Sequence, residues 1–590
     1  MRQLHRCLSS AILALYLSAV CLAQGGHPPP VAPPAGSKSR ICKGRQVPQL
    51  EDVTQKAGIK FRHVVAPDKK YIVESMSGGV ILIDYDRDGW PDIYFTNAPT
   101  LEMSVKHQTA KGALYHNNHD GTFTDVTDKS GITPCFGMGG AVGDINNDGW
   151  PDLYLTCMGG NHLYKNNGDG TFTDVTAKAG VADGRWSTGA AFGDYDGDGF
   201  VDLMVANYVD FRLDAPPEFG KSLNCKYKGL DVQCGPRGLH GSGDSLFHNN
   251  GDGTFIDVSK SARVADAPGY FGMGVIWADF NNTGRPDIYV ANDSTPNYFY
   301  RNDGNGKFTD ISFESGTAVS KDGLEQGSMG IAIGDYFHTG RPSIYVTNFA
   351  DEYSTLYRND GKWDFQDFSY QSGVALPSLN YVKWGTAFLD IDNDGWLDLI
   401  AVNGHVYPQI DLLKSSTGYR EPGNLFLNQM DGTFCDASDQ AGAALMQRRI
   451  SRGLAVGDLF NEGQVDIVVG DLDGAPVILR NHGVPARHWV TFEIAGVKSN
   501  RLAIGAKLKI TAGGITQTEE IHSGGSYLSQ NDLRVHFGLG RADKIDSLEI
   551  RWPGGTTEVL KGLAGDRFYA ILEGKGVVSP DEIRPHKSAH

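Results

Sequence analysis

Short stretches in which apolar and polar residues alternate fill the chain from about residue 50 to 573. Alternation with period two over four to eight residues predicts half-buried strands. LYHNNHDGTFTDVT (114–127) reads as strand, hairpin, strand, because its Asn- and Gly-rich centre favours a tight turn. The phrase recurs at 163–176, 246–259 and 425–438, and more loosely at 298–312. A second phrase precedes it: DYDRDGWPDIYFTN (84–97), DINNDGWPDLYLTC (144–157), DYDGDGFVDLMVAN (194–207), DFNNTGRPDIYVAN (279–292) and DIDNDGWLDLIAVN (390–403). Two worn copies stand at 335–348 and 458–471.

Each of the seven repeats carries a Gly-rich strand, an acidic loop, a second strand and the hairpin pair. Four strands per unit, repeated radially, predict propeller blades. EDVTQKAGI (51–59) resembles the last strand of a repeat yet precedes the first acidic loop, and the seventh copy has no such strand after Arg480. The N-terminal strand is therefore expected to complete the last blade. Six further alternating segments between 488 and 573 predict a small β-sandwich. The expected fold is all-β: a seven-bladed β-propeller over 46–485 and a C-terminal sandwich over 486–575, followed by a polar tail, 576–590.

The N-terminus carries Arg2 and Arg6, a short apolar run to Ala23 and small residues at its end, which reads as a secretory signal peptide, 1–23. A Pro- and Gly-rich linker, 24–45, follows. No later stretch reads as transmembrane. Six cysteines remain after the signal: Cys225 and Cys234 bracket a short loop and are the favoured pair, Cys135 and Cys157 flank one repeat, and Cys42 with Cys435 follows by elimination. The chain holds 70 acidic against 53 Lys and Arg residues, a net charge of −17, which excludes a nucleic-acid partner. The predicted location is secreted, periplasmic or cell-surface.

The acids are clustered. In the spacing D-x-D-x-D-G-x-x-D, side chains at positions 1, 3, 5 and 9 and the carbonyl of position 7 converge, the front half of the EF-hand arrangement of oxygens around Ca²⁺. Asp84, Asp86, Asp88, Trp90 and Asp92 match in full, as do Asp194, Asp196, Asp198, Phe200 and Asp202, and Asp390, Asp392, Asp394, Trp396 and Asp398. Asp144, Asn146, Asp148, Trp150 and Asp152 match with one neutral ligand. Asp279, Asn281, Thr283, Arg285 and Asp287 form a weaker set, while Phe337, Ser343 and Phe460 replace ligands in the worn copies. Asp and Gly also make good turns, but two unit charges 4 Å apart repel by ~4 kcal/mol at an effective dielectric near 20. Turns alone do not require repeating that cost, so about three to five Ca²⁺ ions are expected. His116, His162 and His248 read as exposed repeat residues. No HExxH, GxSxG or Walker sequence occurs, and no catalytic set is seen.

These blocks resemble the FG-GAP/VCBS repeats of integrin-α-like propellers. SNRLAIGAKLKI (499–510), GGSYLSQNDLRVHFGLG (524–540) and DSLEIRWPGG (546–555) resemble the ASPIC/UnbV domain. The combination is similar to the cartilage acidic protein 1 family, with Leu502 standing where that family often has a polar residue. The resemblance implies a calcium-binding, non-catalytic binding or adhesion protein that presents a propeller face to an extracellular protein or glycan. A polysaccharide-acting enzyme or lectin on a calcium propeller is the alternative. SYLSQND (526–532) reads as a turn or a ligand loop.

Overall fold

The computed structural model describes residues 40–585, apart from position 67 and residues 414–416, together with Pro33. The expected signal peptide lies outside the described residues. The chain is all-β, and each repeat folds as one antiparallel four-stranded sheet. Sheet 1 runs Val80–Ile83, Asp92–Phe95, Ala113–Asn117, Phe123–Asp125, in chain order. Sheets 2 to 6 follow the same order, with innermost strands Gly137–Gly143, Ser187–Gly193, Gly272–Ala278, Ile331–Gly334 and Lys383–Leu389. Sheet 7 draws Ser451–Gly457, Asp466–Asp471 and Val477–Asn481 from its own repeat and its outer strand, Leu50–Asp52, from the N-terminus. Leu50 pairs with Asn481 and Asp52 with Leu479.

Two repeated devices hold neighbouring sheets together. The Gly-rich innermost strands lie so close that a Cβ on Gly330 would meet Trp384 O of sheet 6 at 2.1 Å, and one on Gly453 would meet Gly78 O beside sheet 1 at 2.5 Å. Only glycine fits such an approach. The second device is a buried asparagine at or near the end of each third strand, whose Nδ2 donates to a main-chain carbonyl of the preceding sheet's acidic loop. Asn166 reaches Tyr85, Asn249 reaches Ile145, Asn302 reaches Tyr195, Asn359 reaches Phe280, Asn428 reaches Tyr336 and Asn481 reaches Ile391. Asn117 of sheet 1 reaches Leu459 of sheet 7 at 2.9 Å, so the series returns to its start.

The C-terminal region forms two four-stranded sheets on a shared core that includes Val490, Phe492, Phe537, Leu508, Ile510, Leu548 and Ile571. One contains a parallel pair, His488–Ala495 with Arg567–Leu572. Two strands depart from the expected alternation: Thr557–Ala564, mostly exposed or half-buried, and Gly576–Val578. The expected polar tail is corrected accordingly. Residues 580–583 form a helical turn, and Arg584 bonds Glu493 at 2.7 Å and Asp88 O at 3.0 Å, because two charged or polar acceptors lie within its reach. The linker also ends earlier than expected: Cys42 is disulfide-bonded to Cys435, and Arg45 reaches Asp392 and Asp394. Cys135–Cys157 and Cys225–Cys234 are the other two disulfides.

The segment 522–534 leaves the C-terminal sheets and enters the middle of the seven innermost strands. Gln530 pairs with Ile81 of sheet 1, and its Oε1 accepts from Val142 N of sheet 2. Gly524 abuts Ala190 and Ala191 of sheet 3, and Gly525 abuts Ile276 of sheet 4. Ser526 exchanges two main-chain bonds with Ile331 of sheet 5 and accepts from Thr386 N of sheet 6. Asn531 accepts from Val456 N of sheet 7. SYLSQND is therefore an internal plug, and the segment that carries it contacts all seven sheets.

Removing residues 46–62 should abolish amide protection in Asp466–Asn481 while sheets 3 and 4 keep theirs, because an unpaired edge would be left on sheet 7. Hydrogen exchange on the truncated protein measures this. Loss confined to residues 84–127 would show that the strand serves sheet 1 instead.

Candidate metal centres

Each acidic loop joins the first and second strands of its sheet, and the same bonds set its shape seven times. The position-1 carboxylate, from Asp84, Asp144, Asp194, Asp279, Asp335, Asp390 and Asp458, accepts from the position-6 glycine N at 2.6–3.0 Å. Position 9 accepts from the third-strand asparagine N at 2.7–2.9 Å in six loops, from Asp92, Asp152, Asp202, Asp287, Asp398 and Asp466. Ser343 does this in the fifth, at 3.2 Å. Position 5 accepts from the position-7 N, as Asp88 does from Trp90 and Asp394 from Trp396. These three positions are thus used by the turn itself. Position 3 is not, since Phe337 and Phe460 stand there in loops that keep the same position-1 bond. An acid at position 3 is therefore the sign of something besides a turn.

Position 3 is Asp in sheets 1, 3 and 6, and there the carboxylates converge. Asp84, Asp86 and Asp88, then Asp194, Asp196 and Asp198, then Asp390, Asp392 and Asp398 each offer ligand atoms within 4.8 Å of one another. Two sets include a histidine, Asp86–Asp92–His116 and Asp196–Asp202–His248. This corrects the reading of His116 and His248 as plain exposed repeat residues. Both project from the third strand across the acidic loop, half-buried, whereas His162 pairs with Asp174 of its own hairpin. The signal that would have found them is the cross-strand neighbour, which a linear loop motif does not contain.

The donor set fits a divalent cation. In sheet 6, Asp390, Asp392, Asp394 and Asp398 are all buried, and Asp392 Oδ1 has no hydrogen-bond partner. Hard Ca²⁺ takes six to eight oxygens, and four carboxylates in one loop can supply them. Cations of the chain itself also stand at these loops, in sheet 6 included, where Arg45 donates to Asp392 Oδ2 at 2.9 Å and to Asp394 Oδ2 at 2.6 Å. Lys165 Nζ lies 3.0 Å from Asp148 in sheet 2, and Lys507 and Arg551 of the C-terminal sheets stand 3.8 and 3.7 Å from Asp279 in sheet 4.

Burial raises the carboxyls of Asp144 and Asp202 to about 7, and those of Asp194 and Asp394 to about 6. Desolvation is the main cause, and neighbouring Asp charges add to it.

The C-terminal sheets cover this end of the repeats. Asn147 Oδ1 accepts from Arg501 N, His536 bonds Asn393 Oδ1, and Arg534 donates to Gly89 O and Asn461 Oδ1. The opposite end carries the 208–244 insertion of repeat 3, whose Tyr227 packs on Phe349, His405 and Tyr407. Among the described residues no helix is long and apolar enough to cross a membrane.

Comparison with known proteins agrees with this architecture. The FG-GAP-like repeat matches residues 84–155, 144–205, 231–290 and 279–346, and the ASPIC and UnbV family matches 496–578. The chain is thus an FG-GAP repeat protein with a C-terminal ASPIC/UnbV domain. It is homologous to cartilage acidic protein 1 over most of its length. It is 24% identical to that protein of Xenopus tropicalis, over 81% of this chain and 70% of the other. To the Mus musculus protein it is 23% identical, over 86% and 75%. Among solved structures, an Agrocybe aegerita protein described by its recognition of non-reducing terminal N-acetylglucosamine is 16% identical, covering 68% of this chain and 87% of that one in a loose superposition with a TM-score of 0.35.

The raised carboxyls set a pH dependence. Their folded pKa values lie above the unfolded value near 3.9, so the folded state holds more protons between about 4 and 7. Stability of chelated protein should be fullest below about 4 on this account and fall as pH rises to 7. Melting in EDTA is expected several degrees lower at pH 7.5 than at pH 5.5, with the gap closed by added Ca²⁺. A chelated melting temperature that rises over this range would contradict the assignment.

Proposed function

We propose that the seven sheets are the blades of a closed β-propeller, and that the protein is a secreted, calcium-binding, non-catalytic binding or adhesion protein. The observation that carries this reading is the convergence of carboxylates in the loops of sheets 1, 3 and 6, at a position where the turn needs no acid. The main-chain carbonyls of Trp90, Phe200 and Trp396 add the position-7 oxygen to these three sets. The homology to cartilage acidic protein 1 supports an extracellular role, and the three disulfides suit an oxidising compartment. The C-terminal sheets occupy the acidic-loop end, so an extracellular protein or glycan would meet the opposite end, around the 208–244 insertion, or the outer rim. Calcium then acts structurally, neutralising carboxylates that brace the blades and the contact with the C-terminal domain.

If a site binds with Kd about 100-fold below the free Ca²⁺ concentration, each ion adds ~2.7 kcal/mol. Asp86→Ala should lower the stoichiometry of bound divalent cation by about one, whereas Phe337→Ala should leave it unchanged. Isothermal titration calorimetry of the two variants measures this, and equal stoichiometry would refute the ligand assignment. A glycan array and a panel of extracellular proteins, each with and without Ca²⁺, test the binding role. Turnover of a polysaccharide by the purified protein would displace it in favour of an enzyme.

A further inference from the structure

The seven repeats provide an internal comparison of what balances the charge in each acidic loop. One third-strand residue, immediately before the buried asparagine, reaches the acidic loop in four sheets, through His116, Lys165, His248 and Arg480, while Arg301 and Arg358 turn to Asp303 and Asp360. With position 3 itself its contacts are fewer, in three sheets. His116 Nδ1 lies 4.0 Å from Asp86 and 3.2 Å from Asp92. His248 Nδ1 lies 3.6 Å from Asp196 and 3.0 Å from Asp202. The Arg480 guanidinium lies 4.6 Å from the centre of the Phe460 ring.

The two positions vary together. Where position 3 is Asn146, Asn281, Phe337 or Phe460, the facing residue is Lys165, Arg301, Arg358 or Arg480, in that order. Where position 3 is Asp86, Asp196 or Asp392, it is His116, His248 or Leu427. A permanent cation at the facing position and a position-3 acid never share a sheet. Two of the fixed cations also pair with the position-5 acid of their loop, Lys165 with Asp148 and Arg480 with Glu462. In sheets 2 and 7 the facing residue supplies that positive charge, whereas Arg301 and Arg358 pair with Asp303 and Asp360 of their own hairpins. In sheet 6 the facing residue is the apolar Leu427, and the cation comes instead from Arg45, bonded to Asp392 and Asp394.

We propose that the loops of sheets 1 and 3 are mixed nitrogen–oxygen metal centres, with His116 Nδ1 and His248 Nδ1 as ligands, and that they take a borderline first-row divalent ion of the Mn²⁺–Zn²⁺ series. This rests on the reading that the acidic loops hold cations, and adds which ion and which ligand. Two ligand atoms at about 2.0–2.2 Å from one ion can be at most about 4.4 Å apart. All four imidazole–carboxylate distances fall inside that limit. Imidazole favours this class of metal, while sites built of carboxylate and carbonyl oxygen alone favour Ca²⁺. Asp86 and Asp196 each belong both to the all-carboxylate group and to the histidine group of their loop, which places them at the centre of the site. The loops of sheets 2, 4, 5 and 7 take no ion on this account.

The test uses the full mature chain, stripped with a chelator and reloaded with Mn²⁺. Pulsed electron paramagnetic resonance should detect directly bound nitrogen. His116→Leu and His248→Leu each copy the residue already present in sheet 6, and each should remove about half of that nitrogen signal; the double variant should remove it all while keeping the native circular dichroism and one Ca²⁺ site. His116→Lys, which installs the residue of sheet 2, should expel one ion outright. Bound Mn²⁺ without nitrogen coupling, or coupling that survives the double substitution, would overturn the proposal and leave the calcium reading standing. Failure to bind Ca²⁺ or Mn²⁺ at all would remove the cation reading itself.

Discussion

The buried asparagine at or near the end of each third strand is the interaction on which the rest of the architecture depends. A side-chain amide taken out of water must find partners, and a lost partner costs about 1–3 kcal/mol. Each of these asparagines finds one carbonyl in its own sheet and one in the sheet before it, as Asn117 does with Pro91 and Leu459. The second bond fixes where the neighbour's acidic loop sits. Seven such bonds in one direction leave no sheet without a predecessor, so the loops are held at one end of the assembly and at fixed spacing. Both the carboxylate clusters and the surface that receives the C-terminal sheets follow from that spacing.

The C-terminal domain is joined to the repeats more closely than a domain on a tether. Its 522–534 segment satisfies main-chain groups that the innermost strands would otherwise turn toward the axis, at Val80, Leu82, Ile331 and Val456. The buried Arg452 lies against the same centre, with its guanidinium 4.0 Å from the Trp384 ring and bonded to the carbonyls of Ser75 and Gly404. Together with the covered acidic-loop end, this makes repeats and C-terminal domain one packed unit. The acidic loops take part in that packing, through contacts with Arg501, Arg534 and His536.

Much of this was legible in the sequence wherever a feature repeats. The seven units, their four strands, the borrowed outer strand of sheet 7 and the close approach of the Gly-rich strands follow from spacing and alternation, as does the Cys225–Cys234 disulfide, whereas Cys42–Cys435 was reached only by elimination. The axial segment was not legible. SYLSQND has no period, and the partners of the segment around it lie on seven different strands, which no local pattern encodes. Thr557–Ala564 escaped because it shows little apolar alternation, with Lys561 and Gly562 near its centre. The half-buried place of His116 and His248 beside the acidic loops was not legible, because a loop motif runs along the chain rather than across the hairpin. The tail was misjudged because Arg584 finds its acceptors on Glu493 and on the first acidic loop, far away in sequence.

The borrowed strand has a consequence for the order in which the molecule can be made. Leu50–Asp52 emerges early in synthesis, yet its hydrogen-bonding partners, Leu479–Asn481, lie at the far end of the repeats. The Cys42–Cys435 bond spans 393 residues and ties the same end to sheet 6. Sheets 1 to 6 can each form as their own strands appear, because their contacts are local. The last sheet must wait for the first strand to be carried round to it, and the axial segment can enter only after that, since it comes later still. Until nearly the whole chain has been made, the nascent protein carries an open strand edge and an unfilled centre, the kind of surface a holding chaperone binds.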